Sequence, residues 1–305
     1  MGAAAALLGR IVDYAGLFPP AALPMERAVQ NYRKYLGGED AWMNHPGEQR
    51  RLSGGPGLLG GFVLAAARLE EFAAAFEKEC CDEQQTPWTL SLVCAGETAE
   101  DVAAIEEFQQ GAVFIGSLEV KAADARGAKE ALERLPAARS RYVEFAPERA
   151  GEILPVLAEY GARAKIRMGG LTADSIPASD AVARFLQACA RERVAWKATA
   201  GLHHAVRGVR SLTDAPGSPR AMMHGFVNLF LAGALAFFGA EEAAVVRTLE
   251  EQDAGAFRAE DEVIRWHSNT MIADQIEQAR NEFAICFGSC SFTEPVDDVK
   301  AMGWV

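Results

Sequence analysis

Short runs of apolar, β-branched or aromatic residues recur along the chain, and between them apolar positions fall at helical spacing. Eight such runs stand out: 11–16 (IVDYAG), 61–66 (GFVLAA), 89–94 (TLSLVC), 117–122 (SLEVKA), 142–146 (YVEFA), 163–168 (RAKIRM), 194–200 (VAWKATA) and 284–289 (AICFGS). Runs of this length and composition predict strands. Helical periodicity predicts helices over 25–36, 68–79, 98–109, 125–135, 147–160 and 179–191. Strand and helix alternating in this way predict a parallel sheet with crossover helices, and eight strands are the number that closes a (β/α)8 TIM barrel. Two connections are long: the first carries a Gly/Pro-rich loop around 45–60, and the seventh runs for about eighty residues from 202 to 282. An open doubly wound sheet competes, but no G-x-G-x-x-G follows the first strand. The expectation is therefore an α/β protein, one barrel domain over residues 1–305, with a helical insertion, 202–282, between strands seven and eight.

The segment 221–240 (AMMHGFVNLFLAGALAFFGA) has no formally charged residue and is long enough to span a bilayer. It contains His224 and Asn228 and runs into Glu241 and Glu242, with no basic anchor, so a buried helix is expected. His224 and Asn228, four apart, share one face of that helix. Either they brace neighbouring backbone or the helix lies over the barrel mouth and presents both to a substrate. Its other faces, with Gly225, Gly233 and Gly239 allowing close approach, suit a second subunit and hence a homo-oligomer.

Composition narrows the picture. Hydrophobic residues make up 50% of the 305 and charged ones 24%, enough for a large core. The formal net charge of −12 disfavours attraction to nucleic acid or to an anionic membrane surface. Six cysteines form no C-x-x-C pair, which points to reduced thiols in a cytoplasmic protein. The opening MGAAAALLGR lacks a basic n-region and is expected to be a mature N-terminus.

Side chains alternate along a strand, so residues two apart share a face. That groups Glu119 with Lys121, Glu144 with Tyr142, Arg163 with Lys165 and Arg167, and Lys197 with Ala195 and Thr199; Asp13 falls on the first strand. Barrel interiors are normally filled by Val, Ile and Leu, so ionisable groups there either pair with one another or face the catalytic mouth. Lys165 and Lys197 sit at equivalent depth on consecutive strands. Burial and a neighbouring cation both lower a lysine's pKa, which provides the free amine of a Schiff-base mechanism. Asp13 is followed by a loop in which Pro19 and Pro20 fix an extended path, and Tyr14, Leu17 and Phe18 are expected to wall the mouth.

The order KIRMGG (165–170), KATAG (197–201) and FGSCS (287–291) resembles the last three strands of the deoxyribose-phosphate aldolase family, and IVDYAGL is similar to that family's Asp-bearing first strand. The resemblance implies a class I aldolase on a (β/α)8 barrel. It makes Lys165 the Schiff-base residue and Lys197 the lysine that lowers its pKa. Residues Gly288, Ser289 and Ser291 become part of a cradle for a substrate phosphate. Glu119 is the nearest counterpart of the family's strand-four acid.

The expected function is thus an aldolase-like lyase or isomerase acting on a small carbonyl or sugar-phosphate substrate. Lys165, Lys197, Glu119, Glu144 and Asp13 are its catalytic residues. Arg167, Thr199, His203, Lys121, His224, Asn228, Gly288, Ser289 and Ser291 are its substrate contacts, and no cofactor is expected. Two alternatives stay open. One is a divalent-metal lyase or isomerase in which His203 or His204, directly after strand seven, joins Glu119 and Glu144. The other is a non-catalytic barrel whose mouth is filled by mutual salt bridges. The turn GSCSF precedes a helix whose first turn carries Glu294, Asp297 and Asp298, which complement its dipole and oppose a bound phosphate. Cys290 shows no histidine–carboxylate partner in the sequence and is expected to be a small turn residue.

Overall fold

The computed structural model describes residues 2–37, 57–80, 87–95, 99–137, 139–213 and 215–305. Most of the loop expected at 45–60, and the first residue of the helix expected at 98–109, lie outside them. The strands are β1 (Val12–Tyr14), β2 (Leu59–Ala65), β3 (Trp88–Val93), β4 (Val113–Lys121), β5 (Ser140–Glu144), β6 (Arg163–Arg167), β7 (Trp196–Thr199), β8 (Gly208–Ser211), β9 (Arg220–Met223), β10 (Phe257–Ala259), β11 (Val263–Trp266), β12 (Asn269–Ile272) and β13 (Ala284–Ser289). The helices are α1 (Ala3–Leu8), α2 (Met25–Gly37), α3 (Leu69–Glu79), α4 (Ala99–Glu107), α5 (Ala125–Arg134), α6 (Ala150–Glu159), α7 (Ser179–Glu192), α8 (Phe226–Phe237), α9 (Glu242–Glu250), α10 (Ala273–Glu282) and α11 (Thr293–Ala301).

Eight parallel strands close on themselves in the order β1, β13, β7, β6, β5, β4, β3, β2, each expected strand overlapping an observed one. The chain is a (β/α)8 TIM barrel. Local chemistry explains the elements. The α5 stretch ARGAKEALER turns Ala128, Ala131 and Leu132 inward, and Asp124 caps it by accepting the Gly127 N–H at 2.7 Å. The α7 stretch buries Val182, Phe185, Leu186 and Cys189, then stops at Arg193, which turns left-handed at φ 54°. Between the first strands and their helices, Tyr32, Phe62, Phe72 and Trp88 form an aromatic cluster, with the Tyr32 and Trp88 rings 4.4 Å apart.

The long seventh connection is only partly helical, which corrects the expectation. β8 and β9 form an antiparallel hairpin with Val209 opposite Met222, and β10, β11 and β12 form a separate antiparallel sheet. Residues 220–223 are therefore strand, and the helix expected over 221–240 begins at Phe226. An uncharged apolar run has no polar face from which to read its period. Gly225 marks the break: a Cβ there would lie 2.4 Å from the Ala205 carbonyl oxygen. Residues 226–234 of α8 are all buried, against α7, α9, α10 and β13 of the same chain. Leu235 and Phe237, toward its end, are half-buried, and Phe238 just past it is exposed. Among the described residues, no helix is long and apolar enough to cross a membrane.

The loops leaving β6 and β7 are locked together at two glycines. Gly201 sits at φ 69° just after Ala200 at φ 59°, and a Cβ on either Gly169 or Gly201 would come within 2.8 Å of the other's Cα. Gly201→Ala should therefore destabilise the protein by about 3 kcal/mol, combining the left-handed penalty with backbone overpacking. Gly151→Ala, on α6 with nothing within 4 Å of the new methyl, should instead stabilise by about 0.5–1 kcal/mol. Urea unfolding of the two variants checks the contrast.

Candidate active site

Five barrel strands project ionisable side chains inward, and the strand register sets them side by side. Glu144 is level with Lys165, and Lys165 with Lys197. The Lys197 ammonium lies 2.6 Å from both Asp13 Oδ2 and Glu119 Oε1. The other oxygen of Glu119 is 2.7 Å from Lys165 Nζ, which is 2.8 Å from Glu144 Oε2. Glu144 Oε1 then accepts from Arg167 Nε at 2.9 Å. The result is a chain of alternating charge: Asp13, Lys197, Glu119, Lys165, Glu144, Arg167. Lys121 adds a more distant cation, 3.5 Å from Glu144 and largely exposed at the rim.

Each link has a physical consequence. Burial opposes ionisation of Glu119, but the two ammonium groups outweigh it and hold the carboxyl well below the usual carboxylate range. Burial likewise opposes the charge on Glu144, and Lys165, Arg167 and Lys121 overcome it. Lys197 is buried too, yet Asp13, Cys286 and Glu119 raise its pKa well above the ordinary lysine value. It remains an ammonium. Carboxylate neighbours, rather than burial, govern the charge of Lys197. Neutral groups complete the shell. Ser91 on β3 donates to Glu119 at 2.5 Å, the Gly61 N–H donates to Asp13 at 2.7 Å, and the Tyr142 ring centroid lies 5.2 Å from the Lys197 ammonium. Ser91 and Tyr142 were not singled out from the sequence, although their inward register on polar-bearing strands marks them.

Above this floor, at the C-terminal ends of the strands, is a cavity of about 370 Å³. Glu119, Glu144, Lys165, Arg167, Lys121, Lys197, Thr199, His203, Gly288 and Cys290 all line it. Phe18, Pro19 and Pro20 form one wall, as expected, and Leu212 and Met223 from the hairpin region form another. Tyr14 and Leu17 do not line it; Tyr14 packs on Tyr32, Tyr35 and Phe62 instead. Asp13 lies beneath the floor and reaches a second cavity, about 470 Å³, at the opposite end of the barrel. Barrel active sites sit at the C-terminal ends of the strands, which favours the first cavity. A mouth wholly filled by salt bridges is not what is observed, because the ion pairs form a floor with open space above.

Several expected contacts lie elsewhere. His224 Nε2 meets the Pro177 carbonyl at 2.8 Å, and Asn228 donates to the Thr248 and Glu251 carbonyls at 2.7 and 2.9 Å and accepts from the Arg207 N–H at 2.9 Å. These two brace backbone, because polar groups on so deeply buried a segment must be satisfied there. Neither lines the cavity. Ser289 is buried and accepts from the Ser291 N–H at 3.3 Å, while Ser291 accepts from the Glu294 N–H at 3.4 Å; neither hydroxyl reaches the cavity wall.

His203 does not join Glu119 and Glu144, as the metal alternative required. Its Nδ1 is 3.0 Å from Glu294 Oε2 and its Nε2 is 3.9 Å from Cys290 Sγ; His204 turns to Asp298 at 3.1 Å. Among the described residues, no group of three His, Cys, Asp or Glu side chains is arranged to hold a metal ion. Cys290 therefore has the histidine and carboxylate partners that the sequence did not reveal. The available signal was positional: His203 follows β7 and Cys290 follows β13, and these strands are neighbours.

Lys197→Met leaves Asp13 and Glu119 buried without their shared cation and should cost about 3–5 kcal/mol in urea unfolding. The pH dependence has a defined sign. Glu119 and Glu144 are depressed, so their contribution is present above the ordinary value near 4.5 and is lost as pH falls through their lower folded values. Lys197 is raised, so its share is present below 10.5 and is lost only as pH rises through its higher folded value. Unfolding free energies measured from pH 3 to 9 should fall on the acid side, and Glu119→Gln should flatten that fall.

No family model matches the chain, and no curated protein matches it. Among solved structures, the chain is similar to a deoxyribose phosphate aldolase from Aeropyrum pernix, described as having a unique tetrameric structure. Identity is 12%, the match covers 98% of this chain and 93% of that one, and the TM-score is 0.33. A likeness at that level adds nothing to the fold read directly from the closed barrel, and nothing about chemistry.

Proposed function

We propose that this barrel is a lysine-dependent lyase or isomerase that forms a Schiff base between Lys165 and a small carbonyl substrate, with a sugar phosphate or another oxygenated anion as the substrate class. One observation carries the reading: a lysine amine on the floor of an open C-terminal cavity, held between two carboxylates, with a second ammonium fixed behind it. Lys165 suits the nucleophile better than Lys197, whose side chain is 1% exposed and clamped at 2.6 Å on two sides.

Before attack, the Lys165 ammonium gives a proton to Glu144. Its nitrogen then adds to the carbonyl carbon to give a carbinolamine, whose hydroxyl takes the proton held by Glu144 and leaves as water, so that an iminium forms and Glu144 is a carboxylate again. Glu144 is a poor proton acceptor while Arg167 is bound to it. The Arg167 side chain is 43% exposed and is placed to swing to an anionic substrate. That movement removes a cation from Glu144 and raises its proton affinity, so anion binding and amine activation are linked. Glu119 stays ionised between the two lysines and stabilises the iminium. Lys121, Thr199, His203 and Gly288 surround the substrate.

The ion pairing of the floor favours a second reading, a barrel whose charges are purely structural. One experiment separates the two. Sodium borohydride added with a panel of small aldehydes and ketones, glyceraldehyde 3-phosphate among them, should fix a reduced adduct on the Lys165 peptide, detected by mass spectrometry. Lys165→Ala should abolish it. No adduct across the panel, or an unchanged adduct in Lys165→Ala, removes the Schiff-base reading.

A further inference from the structure

We propose that Cys290, His203 and Glu294 form a second nucleophilic centre on the wall of the same cavity, one that takes up the acyl group of a carboxylic ester or thioester.

Two observations carry it. First, the five described free cysteines differ in access: Cys80, Cys94, Cys189 and Cys286 are buried, and Cys290 is partly exposed. Cys290 is also the one of these five whose side chain faces both the cavity and a histidine. Second, the three side chains stand in the order nucleophile, base, orienting carboxylate. Cys290 Sγ is 3.9 Å from His203 Nε2, and His203 Nδ1 is 3.0 Å from Glu294 Oε2. Such contacts are commonly long before substrate arrives.

The charged and titratable groups around His203 act in the same direction. Burial disfavours its charge, but contacts with Cys290 and Glu294 outweigh this and hold the imidazole protonated above the ordinary histidine range. Glu294 is correspondingly depressed by His203. His204 is tied to Asp298 and does not compete for Cys290. The Tyr14 phenol, within electrostatic reach of Cys290, is pushed by burial up to about 12 and stays neutral. An imidazolium beside a sulfur stabilises the thiolate.

Acyl transfer uses both charges of this pair. The Cys290 thiolate attacks the carbonyl carbon, forming the C–S bond. The ester C–O bond breaks, or the C–S bond of a thioester, and the leaving group takes the proton of His203. Water then attacks the acyl-cysteine while neutral His203 accepts its proton. Cys290 leaves as thiolate, and the carboxylic acid is released. The net change is hydrolysis of the ester, with no other reactant.

The test uses the full chain and p-nitrophenyl acetate, and it reads the Cys290 peptide, so its outcome is separate from any adduct on Lys165. Brief acid-quenched incubation should place one acetyl group on Cys290, absent in Cys290→Ser and formed at least 100-fold more slowly in His203→Ala. Iodoacetamide gives an independent measure that needs no turnover. Its rate at Cys290 at pH 7 should be at least 10-fold higher in the unmodified protein than in His203→Ala or His203→Gln, where the thiol has lost its imidazole neighbour. Circular dichroism confirms that the variants are folded. Acetylation confined to lysines, or an alkylation rate at Cys290 that is unchanged by either His203 variant, overturns the proposal.

Discussion

Two ammonium groups and three carboxylates share the inside of this barrel, where each charge alone would lose several kcal/mol of hydration. The alternating chain from Asp13 to Arg167 solves that problem by giving each buried charge a partner of opposite sign at 2.6 to 2.9 Å. Much of the rest follows. Five strands must hold their register to keep the chain intact, so the charges act as a gauge of barrel geometry as well as its floor. The carboxylates also keep Lys197 charged. A barrel interior of Val, Ile and Leu would be at least as stable. Keeping six charges there makes physical sense if an anionic carbonyl compound exchanges with one of them.

Much of this was legible along the chain. The eight strands followed from short apolar runs, and alternation along KIRMGG, KATAG and SLEVKA put Lys165, Lys197 and Glu119 on the inner face. The pairing was not legible, because which carboxylate meets which lysine depends on the stagger between strands β1, β4, β5, β6 and β7. Glu119 bridging both lysines is a property of the closed barrel. The same holds for Cys290, whose histidine lies 87 residues away and whose carboxylate sits on the following helix. Local sequence carried each residue type but not the contact.

The 202–282 connection shows the opposite failure. Its charge-free core gives no period to read, and the β8–β9 hairpin and the three-stranded β10–β12 sheet on either side of it stand where a helical insertion is expected. The outcome matters for the site, because Leu212 and Met223 bring the hairpin region to the cavity wall. His224 and Asn228 are drawn to backbone carbonyls for want of water. The surplus length of the chain thus shapes one side of the mouth, while the cations and carboxylates come from the barrel strands themselves.

The proposed Schiff base requires that Lys165, and not the deeper Lys197, meet the substrate, with Arg167 turning to the anion and Lys197 staying between Asp13 and Glu119. A crystal structure of the protein reduced with borohydride in the presence of glyceraldehyde 3-phosphate tests this most directly. The expected result is continuous density from Lys165 Nζ into the cavity, Arg167 turned from Glu144 toward the phosphate, and Lys197 still between Asp13 and Glu119. Density on Lys197, or an intact Lys165–Glu144–Arg167 chain with an empty cavity, would contradict it.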